Sequence, residues 1–344
     1  MAEANAPPPT FPPPFFVVGC PRSGTTLLRN LLRSHPLLAI PPESHFLPTF
    51  YRVWGDPADE RAARRLAGRI LALHWVRRFG LGFRPDDFRH CRRYGELVGR
   101  LFGERARRDG ATRWGDKTPS YALHMPILRE IFPGAQFVHI VRDGRDVACS
   151  LLRTGIGPRR ALTAGLLWKT YIETARRDGT ALERAHYLEV RYESLLRDPE
   201  TTLRAVCAFL GAPFDPRVLA PTAIDPTRFV DVFGPRRVRH VSLGEIVRDN
   251  AGKWRHEMTA KQVVEFEAVA GPTLAELGYA LAGRGDRRPP GRLAQLAWRA
   301  VDRVFWAGYQ LRRPNKRLWI GGEVIFNWAR LRARWAPRSR TAAS

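Results

Sequence analysis

The stretch Phe15 to Leu28, FFVVGCPRSGTTLL, constrains this chain more than any other. An apolar run of strand length ends in Gly19-Cys20-Pro21-Arg22-Ser23-Gly24. Thr25 and Thr26 then open an apolar pattern of helical period at Leu27, Leu28, Leu31 and Leu32. Strand, glycine-bearing turn and helix in that order form a phosphate loop. Glycines let the backbone turn tightly, and the unpaired N–H groups at the helix start face an anion. Gly19 and Gly24 have the spacing of a nucleoside-triphosphate loop, but such a loop continues with a lysine for the β/γ-phosphates and a hydroxyl for magnesium. Here Thr25 stands at the lysine position and Arg22 is the cation of the loop, which argues against ordinary NTP chemistry.

Among 344 residues, 44% are apolar and ten are Trp, enough for a sizeable core in one large domain or two. The 57 Lys and Arg outnumber the 33 Asp and Glu by 24, which favours a polyanionic partner without choosing between nucleic acid, anionic lipid and a multiply charged nucleotide. Cys20, Cys91, Cys149 and Cys207 are scattered, with no C-x-x-C pair and no Cys/His cluster at zinc spacing; no metal site and a reducing compartment are expected. Residues 1–14 are proline-rich and read as a flexible lead-in without leader-peptide character. No apolar run approaches the roughly eighteen residues of a membrane span. A cytoplasmic protein is expected, with peripheral membrane attachment left open.

After the loop helix, Ser34-His35-Pro36 marks a return, Leu37 to Ile40 a short strand, and Pro41-Pro42 a rigid stop before Glu43. One helix and one return strand separate Glu43 from Arg22, so both are expected at the carboxyl edge of a parallel sheet, where ligands bind. On its own residues, Glu43 reads equally as a helix cap or a surface acid. Asp59 to Arg108 reads as a helical insertion with an apolar stripe at Leu66, Ile70, Leu73, Val76 and Phe79. Ala135 to Leu152 reads as a second unit of buried strand, turn and helix.

PRSGTTLL resembles the 5′-phosphosulfate loop of sulfotransferases that use 3′-phosphoadenosine 5′-phosphosulfate (PAPS). The resemblance implies a P-loop-like three-layer α/β fold, a central mostly parallel sheet flanked by helices, with PAPS as co-substrate and no metal. In the branch that sulfates protein tyrosines, and in several bacterial relatives, a glutamate at the spacing of Glu43 is the general base. His45 replaces the arginine of the tyrosine enzymes, which leaves the acceptor class open. Trp114 to Tyr121, WGDKTPSY, is similar to the D/E-K-[ST]-P-x-Y segment of enzymes acting on carbohydrates, whose lysine, here Lys117, reaches the sulfuryl group or acceptor. Pro119 stands where small-molecule cytosolic sulfotransferases carry a catalytic histidine, and His124 reads as a packed or surface residue.

Arg142 and Ser150 have the spacing of the pair that grips the 3′-phosphate, and Tyr192 in YESL matches a tyrosine near the adenine. Val247 to Arg255 resembles a late loop over the 3′-phosphate but lacks its usual R-K-G triplet, so Arg248 and Lys253 stand as candidates. The resemblance thus implies catalytic roles for Glu43, Arg22 and Lys117. It implies cofactor binding by Arg22, Ser23, Gly24, Thr25, Thr26, Arg142, Ser150, Tyr192, Arg248 and Lys253.

A catalytic domain over 15–282 is expected, with the insertion at 59–108, a long loop over Pro221 to Val241, and an extension at 283–344. From Arg284 onward fifteen basic residues face three acidic ones, interleaved with Trp298, Trp306, Trp319, Trp328 and Trp335. That pattern suits an anionic membrane surface or a packed helical pair; no nucleic-acid motif accompanies it. The acceptor is expected to carry a hydroxyl, on a glycan, lipid, peptide or small metabolite. Two alternatives stay open: an atypical P-loop kinase, and a non-catalytic protein that keeps a nucleotide pocket and acts at a membrane.

Overall fold

All four residues of β1 (Phe15–Val18) are buried, and their alternation divides them between two cores. Phe15 and Val17 pack with Leu28, Leu31, Val138 and Ile140, whereas Phe16 and Val18 belong with Trp114, Phe137 and Trp168 on the opposite face. This is the three-layer arrangement expected from the sequence. The computed structural model describes residues 12–41, 43–77, 79–154, 158–220 and 246–282, and a few positions from 291 to 300. The expected lead-in up to residue 11, the Pro221 to Val241 loop and nearly all of the 283–344 extension lie outside the described residues.

The sheet has the order β2 (Leu38–Ala39), β3 (Arg113–Lys117), β1, β4 (Gln136–Val141), β5 (Tyr187–Arg191), with every pairing parallel. Val17 stands level with both Lys117 and Val138, so the carboxyl ends of the three inner strands share one edge. Parallel neighbours need crossovers, and helices supply them. α1 (Thr25–Arg33) leads from β1 to β2. Between β2 and β3 lie α2 (Leu47–Trp54), α3 (Glu60–Leu71), α4 (His74–Arg77) and α5 (Tyr94–Arg108). α6 (Met125–Ile131) precedes β4, and α7 (Gly144–Thr154) and α8 (Ala161–Thr180) precede β5. α9 (Tyr192–Arg197), α10 (Pro199–Phe209), α11 (Trp254–Glu257) and α12 (Ala260–Glu276) complete the described part. The chain runs outward from β1 to one side and then returns to place β4 on the other. The switch point therefore lies between the β1 and β4 loops, where a crevice opens in folds of this kind.

The insertion is helical, as its stripe predicts. Asp59 caps α3 by accepting from the Ala62 N–H at 2.6 Å, and Leu66, Ile70, Val76 and Phe79 are buried while Leu73 is partly so. All four cysteines are buried and free, and burial raises the pKa of each thiol. Among the described residues no helix is long and apolar enough to cross a membrane, and no group of His, Cys, Asp and Glu could hold a metal ion.

Candidate active site

The loop after β1 turns through two unusual backbone conformations. Arg22 has φ 78 and Gly24 φ 98, and a methyl on Gly24 would run into the Tyr192 ring. Glycine is required there both for its φ and for the close approach. Gly24 is also the N-cap of α1 and carries no side chain to cap it, so the amides of the first turn stay available to an anion. The Ser23 hydroxyl is buried and has no hydrogen-bond partner among the described residues, an unsatisfied group of the kind a phosphate would complete.

Next to this loop stand Lys117, Glu43 and His45, drawn from β3 and the segment after β2. Lys117, at the end of β3 and nearly buried, donates to the Glu43 Oε1 and lies 3.3 Å from the Thr26 hydroxyl of α1. The His45 Nε2 stands 2.8 Å from the Glu43 Oε2. Glu43 is thus gripped on both oxygens. Burial disfavours its ionisation, but Lys117 and His45 outweigh burial and hold its pKa well below the usual carboxylate range. The Glu43 side chain is 32% exposed, which leaves it open to a second reactant. α1 helps to fix this segment: the buried Arg29 side chain donates to the Ile40 carbonyl at 3.2 and 3.3 Å.

A second cationic group faces the loop from β4. Arg142 is buried with its guanidinium 4.3 Å over the Tyr192 ring, and it donates to the Asn250 carbonyl and, at 3.5 Å, to the Arg22 carbonyl. Its Nε is buried without a partner among the described residues. Arg22 reaches across and donates to the Ser150 Oγ at 2.9 Å. The carboxylate of Asp146 accepts from the backbone N–H of Gly252 at 2.7 Å and of Trp254 at 2.9 Å. Asp146 therefore ties the late segment against α7.

Of the residues singled out from sequence, Glu43, Lys117 and Thr26 come together in one cluster, and Arg22, Arg142, Ser150 and Tyr192 in another beside it. Ser23, Gly24 and Thr25 lie between them. Arg248 is exposed and Lys253 begins α11; among the described residues neither is hydrogen-bonded or ion-paired to Arg142 or Ser150. The late loop meets Arg142 through the Asn250 carbonyl instead, and the Asn250 Nδ2 donates to the Tyr192 hydroxyl at 2.7 Å.

A lysine-free loop of phosphate-loop form facing a buried arginine across the switch point defines a P-loop-like α/β protein. The chain belongs to the sulfotransferase family, whose profile matches residues 13–216. It is 26% identical over 323 residues to the nodulation protein NoeE of Sinorhizobium fredii, covering 85% of this chain and 73% of that one. It is 25% identical to protein-tyrosine sulfotransferase A of Caenorhabditis elegans, covering 78% and 67% respectively. Among solved structures, the sulfotransferase domain of the Synechococcus PCC 7002 olefin synthase aligns with TM-score 0.54 and 28% identity, covering 80% of this chain and 98% of that domain. The sulfotransferase domain of the curacin biosynthetic pathway has the same fold, at TM-score 0.56 and 22% identity over 79% of this chain and all of that domain. The family assignment bears out the sulfotransferase reading of the loop and leaves no ground for the kinase alternative.

Proposed function

We propose that this sulfotransferase moves the sulfuryl group of PAPS to an acceptor hydroxyl, with Glu43 as general base. The observation that supports this most directly is the position of Lys117, which touches both the phosphate-loop helix at Thr26 and the carboxylate of Glu43. PAPS supplies a sulfuryl group already bonded to a phosphate leaving group. The amides from Ser23 to Thr26 suit its 5′-phosphate, and Arg142 with Ser150 suits the 3′-phosphate. Arg22 and Lys117 stabilise the charge that gathers on the leaving group as the bond to sulfur breaks.

Glu43 takes the proton of the attacking hydroxyl. A carboxylate held as low as Glu43 is a weak base, and Lys117 resolves this. Drawn toward an anion on the Thr26 side, its ammonium loosens its hold on Glu43 and raises the basicity of the carboxylate when a donor is in place. Glu43→Gln, assayed for transfer from labelled PAPS to a tyrosine peptide and to a panel of glycan and phenol acceptors, should lose about 10²–10⁴-fold in rate with bisphosphate affinity retained. Turnover near that of the wild type would remove the base assignment. The panel also tests the acceptor, for which the tyrosine enzymes among the relatives make a protein hydroxyl the first candidate.

We assign the catalytic domain to 15–282 and surface attachment to the basic 283–344 segment, on its charge and on the exposure of Leu293 and Leu296. Buried free thiols fit a reducing compartment. Co-sedimentation with anionic liposomes, lost on deleting 284–344, tests the attachment.

A further inference from the structure

The segment that carries Glu43 and His45 is irregular from residue 43 to 46, yet it presents two side chains to one spot. Its own backbone does little to hold it. What fixes it is a chain of buried polar groups from β3 and the turn that follows. Asp116 is fully buried, and its Oδ1 accepts the hydrogen of the Thr118 hydroxyl at 2.6 Å. With its only hydrogen committed there, the Thr118 oxygen can act toward Ser44 only as an acceptor, and it takes the Ser44 N–H at 3.2 Å. The Ser44 hydroxyl and the Tyr121 hydroxyl share a hydrogen bond of 2.6 Å, and the same Tyr121 oxygen accepts the Leu47 N–H at 3.0 Å. The segment is thereby pinned at Ser44 and again at Leu47, on either side of His45. His45 itself has φ 58, a left-handed conformation that a non-glycine residue keeps only when its surroundings impose it.

We propose that Thr118 and Tyr121, anchored on Asp116, are positioning residues that hold the base segment in register with Lys117. The inference rests on the reading of Glu43 as base. Thr118 directly follows Lys117 in sequence, so one short stretch of chain both supplies the cation and fixes the carboxylate it meets. Ser44, Thr118 and Tyr121 are buried, and among the described residues neither Thr118 nor Tyr121 is hydrogen-bonded to Arg142. Their effect on turnover runs through Glu43 and His45. A displacement of about 1 Å of a reacting group costs up to about 10²-fold in rate, which sets the expected scale.

The test uses Tyr121→Phe, Thr118→Val and the conservative Thr118→Ser in the full chain. The first readout is turnover of labelled PAPS with water as the probe acceptor. The second is affinity for adenosine 3′,5′-bisphosphate, and the third is hydrogen exchange at the amides of Ser44 and Leu47. Tyr121→Phe and Thr118→Val should lose roughly 10- to 100-fold in turnover, keep the bisphosphate Kd within about 3-fold, and exchange faster at Leu47 and Ser44 respectively. Thr118→Ser should restore all three. Unchanged exchange at both amides overturns the proposal, as does a parallel loss of bisphosphate affinity and turnover, which would mark a general structural defect. Glu43→Gln measured alongside separates the two readings. If it turns over like the wild type, the base assignment fails while the exchange result still decides whether the segment is held as described. If it is inactive and Tyr121→Phe is fully active, the base assignment stands and the positioning role falls.

Discussion

Replacing Arg142 with alanine offers a direct measure of how the chain recognises its nucleotide. The guanidinium is nearly buried and clamped over the Tyr192 ring; among the described residues its Nε–H has no partner, while its terminal N–H groups reach the Asn250 carbonyl and, at 3.4 Å, the Asp146 carboxylate. A 3′-phosphate gripped by two N–H groups gains two charge-assisted hydrogen bonds of about 1.5–3 kcal/mol each, less the bond given up to Asn250. The net is about 2–4 kcal/mol, or roughly 30- to 1000-fold in Kd at about 1.4 kcal/mol per tenfold. Titration calorimetry with adenosine 3′,5′-bisphosphate and with adenosine 5′-phosphate, on wild type and Arg142→Ala, isolates this contribution because the second ligand lacks the group that Arg142 should hold. The bisphosphate should weaken by the full factor, the monophosphate by less than about 3-fold, and the selectivity between them should collapse. Arg142→Lys keeps the charge but not the fork, and should fall between. Equal weakening of both ligands would show that Arg142 shapes the pocket without reading the 3′-phosphate. Selectivity that survives in Arg142→Ala would move that role to other residues.

Two further outcomes follow from the geometry. Gly24→Ala places a methyl against the Tyr192 ring at φ 98, so overpacking of about 1–3 kcal/mol adds to backbone strain, and both Tm and bisphosphate affinity should drop; an unchanged Tm with unchanged affinity would contradict the close approach. In Lys117→Met the ammonium that lowers the Glu43 pKa is gone while the burial that raises it remains, so the acid limb of the pH–rate profile should move to higher pH. The wild-type base, already ionised well below the usual range, should give no acid limb of its own near neutrality. A profile that does not move in Lys117→Met would show that the pair is not coupled in the working enzyme.

The phosphate loop was legible because its geometry is written locally: an apolar run, a glycine at each end of the turn and a helix start without a capping side chain. The second strand was legible for the same reason, while Arg142 and Ser150 were singled out by their resemblance to a family pair. What the sequence could not give was strand order, and the site depends on it. Glu43 and Lys117 meet because β2 lies beside β3, a neighbour relation that no local pattern encodes. The late loop shows a second limit of reading by residue chemistry. Searching the late loop for a phosphate ligand led to its cations, Arg248 and Lys253, whereas its ties to Arg142 and Asp146 are made by the Asn250 carbonyl and the amides of Gly252 and Trp254. Backbone groups are present at every residue and leave no trace in composition. The signal lay on the other side of the contact, in Asp146. A carboxylate in the first turn of a helix reads as a partner for the helix dipole, but one fully buried must find hydrogen-bond donors, and here, besides Arg142 four residues earlier, they come from a loop more than a hundred residues away. Arg29 makes the same point from within α1. An arginine among leucines of the loop helix looks like its solvent face, yet it is buried, and its donors hold the Ile40 carbonyl just ahead of the base segment. The residues proposed to do chemistry were singled out by their resemblance to family motifs, and those that hold them in place were not, because a positioning residue is defined by its partner and the partner is set by the fold.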